Sequence, residues 1–112
     1  MIGINDFLHG VHVSTVAENY HQIIKNILDS GMDVYIISTI IAGPKFKNLN
    51  QNILELNKLL EKFSSTLANV TYIEINDQLS RDGLLIPDYT FDDVHLNGEG
   101  LIIFKRIIAQ YL

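Results

Sequence analysis

The sequence predicts an α/β fold organised on a parallel sheet. Three observations lead there. Short β-branched runs alternate with longer stretches whose apolar residues recur at helical spacing. One of those runs, Asp33 to Thr39 (DVYIIST), is nearly continuous in large apolar residues at its centre, the look of a strand covered on both faces. The order strand, helix, strand, helix, strand, loop, helix is that of right-handed crossover units.

Each element has its own warrant. MIGI at 1–4 is a short apolar run ended by Asn5-Asp6 and reads as the last part of a buried strand. Residues 14–30 predict a helix, because Val16, Tyr20, Ile23, Ile24, Ile27 and Leu28 form one stripe. Thr15 with Glu18 fits a capping box, and Gly31 is placed to stop the helix. The strand at 33–39 follows, and AGPK then breaks the chain. A second helix is expected over 48–67, with Leu49, Ile53, Leu56, Leu60, Phe63 and Leu67 on one face. VTYIEI at 70–75 predicts another strand. An irregular stretch with a turn at Asp82-Gly83 leads to a last helix from Gly98 to about Tyr111, with Asn97 as its N-cap.

Composition narrows the function classes. The chain has 112 residues, enough for one domain spanning 1–112. A net charge of −5 argues against nucleic acid or an anionic membrane as partner, and Lys45 with Lys47 is too small a basic cluster to change that. With no cysteine, disulfides and thiolate metal sites are excluded. No apolar run reaches the length of a membrane span. The start of the chain lacks the basic and long apolar parts of a signal peptide, which points to the cytoplasm if Met1 is the native start.

In a parallel α/β sheet, ligands sit beyond the carboxyl ends of the strands. Asn5-Asp6, Ser38-Thr39 and the 76–97 loop all fall at that end. Within the loop, Asp92 precedes His95 by three residues. A carboxylate so placed can accept a hydrogen bond from one ring nitrogen and leave the other as a base. The same pattern also fits a solvated Asp and a capping His at a helix entrance. Asp93, one residue nearer the ring, is expected to face away or cap the turn. Asn5 could donate to a developing oxyanion or simply end a strand. His9 and His12 have a spacing that binds metal on a helix, but Gly10 interrupts them, and no four-ligand set is apparent. Neither a metal nor a cofactor is therefore expected. His21 reads as surface, and Asn57, beside an apolar stripe, as a hydrogen-bonding partner for a loop.

Taken together, GIND at 3–6 and DDVHLNGEG at 92–100 resemble the SGNH hydrolases, also called the GDSL esterase/lipase family. That family carries Gly-x-Asn-Asp after its third strand and Asp-x-x-His before its last helix. The resemblance covers almost the whole chain and implies a three-layer α/β/α, flavodoxin-like fold with a parallel sheet. It implies acyl transfer from a small carboxylic ester to a serine and then to water. Asn5 would then be an oxyanion donor, His95 the general base and Asp92 the group that orients it. One departure is serious. The family's nucleophile lies in a Gly-Asp-Ser motif after the first strand, and a second oxyanion donor, a glycine, follows it. Neither is present here, so the chain resembles an N-terminally truncated, C-terminal portion of the domain. Of the six serines, only Ser38 lies near the carboxyl end of a strand, and no Gly-Asp precedes it. The alternatives are a non-catalytic α/β remnant or partner-binding module, and a small metal site on His9 and His12. Self-association, or a complementing N-terminal segment, is expected if the missing strands leave an apolar edge.

Overall fold

The computed structural model describes residues 3–112. Its elements are helix α1 (Ile4–Leu8), helix α2 (Val13–Asp29), strand β1 (Val34–Ile37), a 3-10 helix (Pro44–Leu49) running into helix α3 (Asn50–Ser64), and strand β2 (Val70–Ile73). Helix α4 (Asn76–Leu79), the hairpin β3 (Ser80–Arg81) and β4 (Leu84–Leu85), a 3-10 turn (Pro87–Tyr89) and helix α5 (Gly98–Ala109) complete it.

Strands β1 and β2 pair in parallel, Val34 opposite Val70 through Ile37 opposite Ile73. Their alternation sorts side chains to two faces. Val34, Ile36 and Val70 face a core formed with Val16, Tyr20 and Ile24 of α2 and Ile53, Leu56 and Leu60 of α3. Ile73 faces a second core with Ile75, Leu79, Leu85 and Ile107 of α5, and Ile37 packs against that core. The result is three layers: α2 and α3, the sheet, then α5. The expected α/β/α architecture with a parallel sheet is therefore what forms.

Some expectations need correction. The strand expected at 1–4 lies partly on Met1 and Ile2, outside the described residues. The remainder is not strand: Gly3 has φ 124, and Ile4 opens α1. Asn5-Asp6 thus belongs to a helical turn, seated by buried Phe7, and does not end a strand. Among the described residues the parallel sheet has two strands, not three. Helix α2 begins at Val13 with His12 at the N-cap and no side-chain cap, so Thr15 and Glu18 lie within it and form no capping box. It does end before Gly31, whose N–H donates to the Leu28 carbonyl (2.9 Å). Ile23, placed on the stripe by its spacing, is exposed. The second predicted helix is shorter than 48–67, because the 3-10 helix takes its first residues and Ser64, Ser65 and Thr66 turn their hydroxyls onto carbonyls three residues back. His21 is not simply surface: its ring stacks on Phe63 at 4.0 Å between centroids, and its Nε2 is buried without a partner.

Candidate functional site

Beyond the carboxyl end of β1, Thr39–Ala42 belong to no strand, and although Leu85 of β4 donates to the Ala42 carbonyl (3.3 Å), most of this backbone is left for side chains to bond. Three buried asparagines do so. Asn57 accepts from Thr39 N–H and donates to Thr39 C=O, both at 2.8 Å. Asn50 makes the same pair with Ala42 at 2.7 and 2.9 Å. Asn76 accepts from Ile41 N–H (2.9 Å) and donates to Thr39 C=O (2.9 Å). A buried backbone amide left unbonded is costly, so these side chains replace a missing ladder.

Ser38 is committed to this framework. Its hydroxyl donates to Glu74 Oε1 and accepts from Ile75 N–H, each at 3.0 Å, and the residue is fully buried. Glu74 Oε1 also accepts from Asn76 N–H (2.7 Å), and Tyr72 donates to Oε2 (3.4 Å). Burial, then the charges of Glu74 and Glu61, push the Tyr72 hydroxyl well above its ordinary range.

The opposite wall is the loop before α5. Thr90 bridges Leu96, and the Thr90 hydroxyl donates to the His95 carbonyl (2.6 Å). Asn97 caps α5 as expected, its Oδ1 accepting from Gly100 N–H at 3.0 Å. Between them, Asp92 folds the loop around itself. Oδ1 accepts from the N–H of Val94 (2.9 Å) and of His95 (2.7 Å), and Oδ2 takes a hydrogen bond from His95 Nδ1 at 2.6 Å. The His95 backbone N–H above all, with its ring and the Val94 N–H, holds the Asp92 carboxyl down to about 2 against the opposing effect of desolvation. A carboxylate can only accept, so Nδ1 carries the proton and Nε2 presents its lone pair. The His95 side chain is 71% exposed and stacks loosely on Phe91, 6.0 Å between centroids.

His95 also lines a cleft of about 340 Å³ with Ile4, Thr39, Ile40, Val94, Leu96, Leu101 and Phe104. The lining is almost wholly apolar apart from the imidazole and Thr39, as in sites that seat a greasy group against a few polar ones. No serine is among these lining residues. Asn5, the residue after Ile4 in α1, is exposed and is not among the residues lining the cleft. Its carbonyl accepts from His9 Nδ1 (2.7 Å). His9 is thus engaged at the end of α1, His12 caps α2, and among the described residues no three His, Asp or Glu side chains gather as a metal would require.

Residues 1–101 match the family model of the GDSL-like Lipase/Acylhydrolase family. The chain belongs to that family. Three solved structures share its fold. A proposed platelet activating factor from Streptococcus pneumonia superposes with a TM-score of 0.89 at 21% identity, over 99% of this chain and 56% of that one. A proposed acylhydrolase from Bacteroides fragilis gives 0.81 at 23%, over 90% and 51%. A GDSL-like lipase from Bacteroides thetaiotaomicron gives 0.85 at 22%, over 97% and 58%. The chain therefore spans little more than half the length of these structures. No curated protein matches it significantly. No helix among the described residues is long and apolar enough to cross a membrane.

Spacing and resemblance together single out Asp92, His95 and Asn5, of which the structure brings Asp92 and His95 into contact. They missed Asn50 and Asn76, whereas Asn57, expected to hydrogen-bond a loop, does so at Thr39. A signal was present. Asn50, Asn57 and Ser64 recur every seven residues, so three polar residues sit on the buried face of α3. Polar groups repeated on an apolar stripe demand partners.

Proposed function

We propose that this chain is the C-terminal portion of a hydrolase acting on carboxylic esters, contributing the base, the acid that orients it and an oxyanion donor. The observation that carries the reading is the 2.6 Å contact of Asp92 with His95 at the edge of an apolar cleft. In the proposed reaction a serine hydroxyl from outside these 112 residues attacks the ester carbonyl carbon. His95 Nε2 accepts the hydroxyl proton as the Oγ–C bond forms. The Asn5 side-chain amide donates to the oxyanion of the tetrahedral intermediate. As the ester C–O bond breaks, Nε2 returns the proton to the departing alkoxide, which leaves as an alcohol. Water repeats the sequence and releases the carboxylic acid. Asp92 stays ionised throughout, fixing the Nδ1–H tautomer and favouring the imidazolium. The acyl part of a small ester would lie against Ile40, Val94 and Phe104. Residues 1–112 would then fold as one unit that is completed by an N-terminal segment bearing Gly-Asp-Ser, or that self-associates.

An ester assay tests this on the chain alone, on the chain with such a segment, and on that mixture carrying His95→Ala. Turnover should require both pieces and fall by about 10⁴ or more on His95→Ala. Robust turnover by the chain alone, lost on Ser38→Ala, would show that the nucleophile is misassigned.

A second reading draws on α5, where Leu101 and Ile102 are 54% and 59% exposed. A non-catalytic module that covers this face with a protein partner would account for them. A well-folded mixture that binds tightly but hydrolyses nothing would favour that reading.

A further inference from the structure

We propose that Asp93 is a positioning residue for the Asp92–His95 pair: it straps the 90–97 loop to Gly43–Lys45 and so fixes where the imidazole stands at the cleft. This rests on the reading of Asp92 and His95 as orienting acid and base, and assigns to their neighbour the task of holding them in place.

Asp93 has φ 69, in the left-handed region that a side chain rarely occupies without compensation. That conformation turns the chain so that the next two N–H groups, of Val94 and His95, both meet Asp92 Oδ1. Two bonds hold Asp93 there. Its carbonyl accepts from Gly43 N–H (2.8 Å), and its carboxylate Oδ2 accepts from Lys45 N–H (2.9 Å), an N–H in the first turn of the 3-10 helix with no partner inside it. The contact is intimate on the other side as well. A Cβ placed on Gly43 would lie 2.7 Å from Asp93 Cγ, so the strap sits on bare backbone.

What it fastens to is rigid. Ala42, the residue before Gly43, is gripped at N–H and C=O by Asn50 from α3. A continuous chain of bonds thus runs from the buried face of α3, through Ala42, Gly43 and Asp93, to the Asp92–His95 pair. The His95 side chain is largely exposed, and Leu96 beside it packs against the second core. Without the strap, the loop would hang between Thr90 and the Asn97 cap.

The experiment uses the full 112-residue chain and reads geometry, not turnover. NMR follows the Asp92 carboxyl through acid titration and the exchange rate of the Lys45 amide in the parent, Asp93→Asn and Asp93→Gly. Glycine retains the left-handed backbone and loses the carboxylate; asparagine retains an acceptor oxygen. In Asp93→Gly, Lys45 should exchange roughly tenfold faster, the effect of one lost hydrogen bond, and the Asp92 midpoint should climb from about 2 towards 3.8. Asp93→Asn should stay close to the parent in both. A merely structural loss of stability would not move the native-state Asp92 midpoint. If Asp93→Gly keeps that midpoint and Lys45 protection, the strap does not exist. An ester assay without turnover leaves these readouts intact, so the two proposals fail separately.

Discussion

Helices α3 and α5 sit on opposite faces of the same small sheet and are finished very differently. On α3, Ile53, Leu56 and Leu60 are entirely buried. On α5, of the large apolar residues only Ile107 is fully buried, Ile103, Phe104 and Ile108 are half-covered, and Leu101 and Ile102 face solvent. The strands repeat the asymmetry: Val34, Ile36 and Val70 are buried on the α3 face, whereas Tyr35 and Thr71 on the α5 face are exposed. The α2/α3 side is a completed core. The α5 side is covered only near the carboxyl ends of the strands, where the cleft lies. The completed core and the cleft therefore lie on different faces.

Truncation should separate the two faces most strongly. Leu56→Ala should cost about 2–5 kcal/mol, since it opens a void in a packed core. Ile102→Ala on α5 should stay within about 0.5 kcal/mol of the parent, as exposed substitutions do. Chemical denaturation measures both, and equal losses would show that the α5 face is covered in solution.

The asparagine clamp gives a smaller, sharper effect. Asn57→Ala leaves Thr39 C=O with Asn76 but removes the Oδ1 that accepts from the buried Thr39 N–H, which should cost about 1–3 kcal/mol. Asn57→Asp retains an acceptor for that N–H but turns a second oxygen on the Thr39 carbonyl, so it should not rescue. Full rescue by Asp would mean that only the N–H contact matters.

The mildest effect is that of pH on the exposed loop. The Asp92 carboxyl lies below its ordinary value, so its contribution to ordering the loop is complete above about 3.8 and is lost as pH falls through about 2. The Val94 amide shift, whose N–H donates to Asp92, should show a transition as pH falls from about 3.8 through about 2, and no transition there would place the control elsewhere.

The architecture was legible because it rests on periodicity. The runs at 33–39 and 70–75 and the stripes on α2 and α3 each carry their own signal, and Asn97 marks the start of α5. The dyad was legible because Asp92 and His95 are local, three residues apart. What escaped was set by distance or by backbone shape. Asn76 meets Ile41 across 35 residues, and no spacing rule reaches that far. Four apolar letters at 1–4 could not separate strand from helix, and α1 exists because Gly3 turns the chain and Phe7 finds a pocket. The N-terminus of α2 was misplaced because a capping pattern at Thr15 lay two residues inside a helix that begins where Gly10 and Val11 redirect the backbone.

The close approach of Gly43 to Asp93 also orders the routes by which this sequence can diverge. Gly43 itself has φ −77, a conformation open to any residue, and the three atoms nearest a new Cβ there all belong to Asp93. The bar on a side chain at 43 is thus imposed by the occupant of 93 and not by the local backbone. Alanine at 43 should be rejected while Asp93 is present and accepted once residue 93 is glycine, a sign of epistasis that a double-mutant cycle registers as non-additivity. Two positions fifty residues apart then drift as one, with the change at 93 obliged to come first.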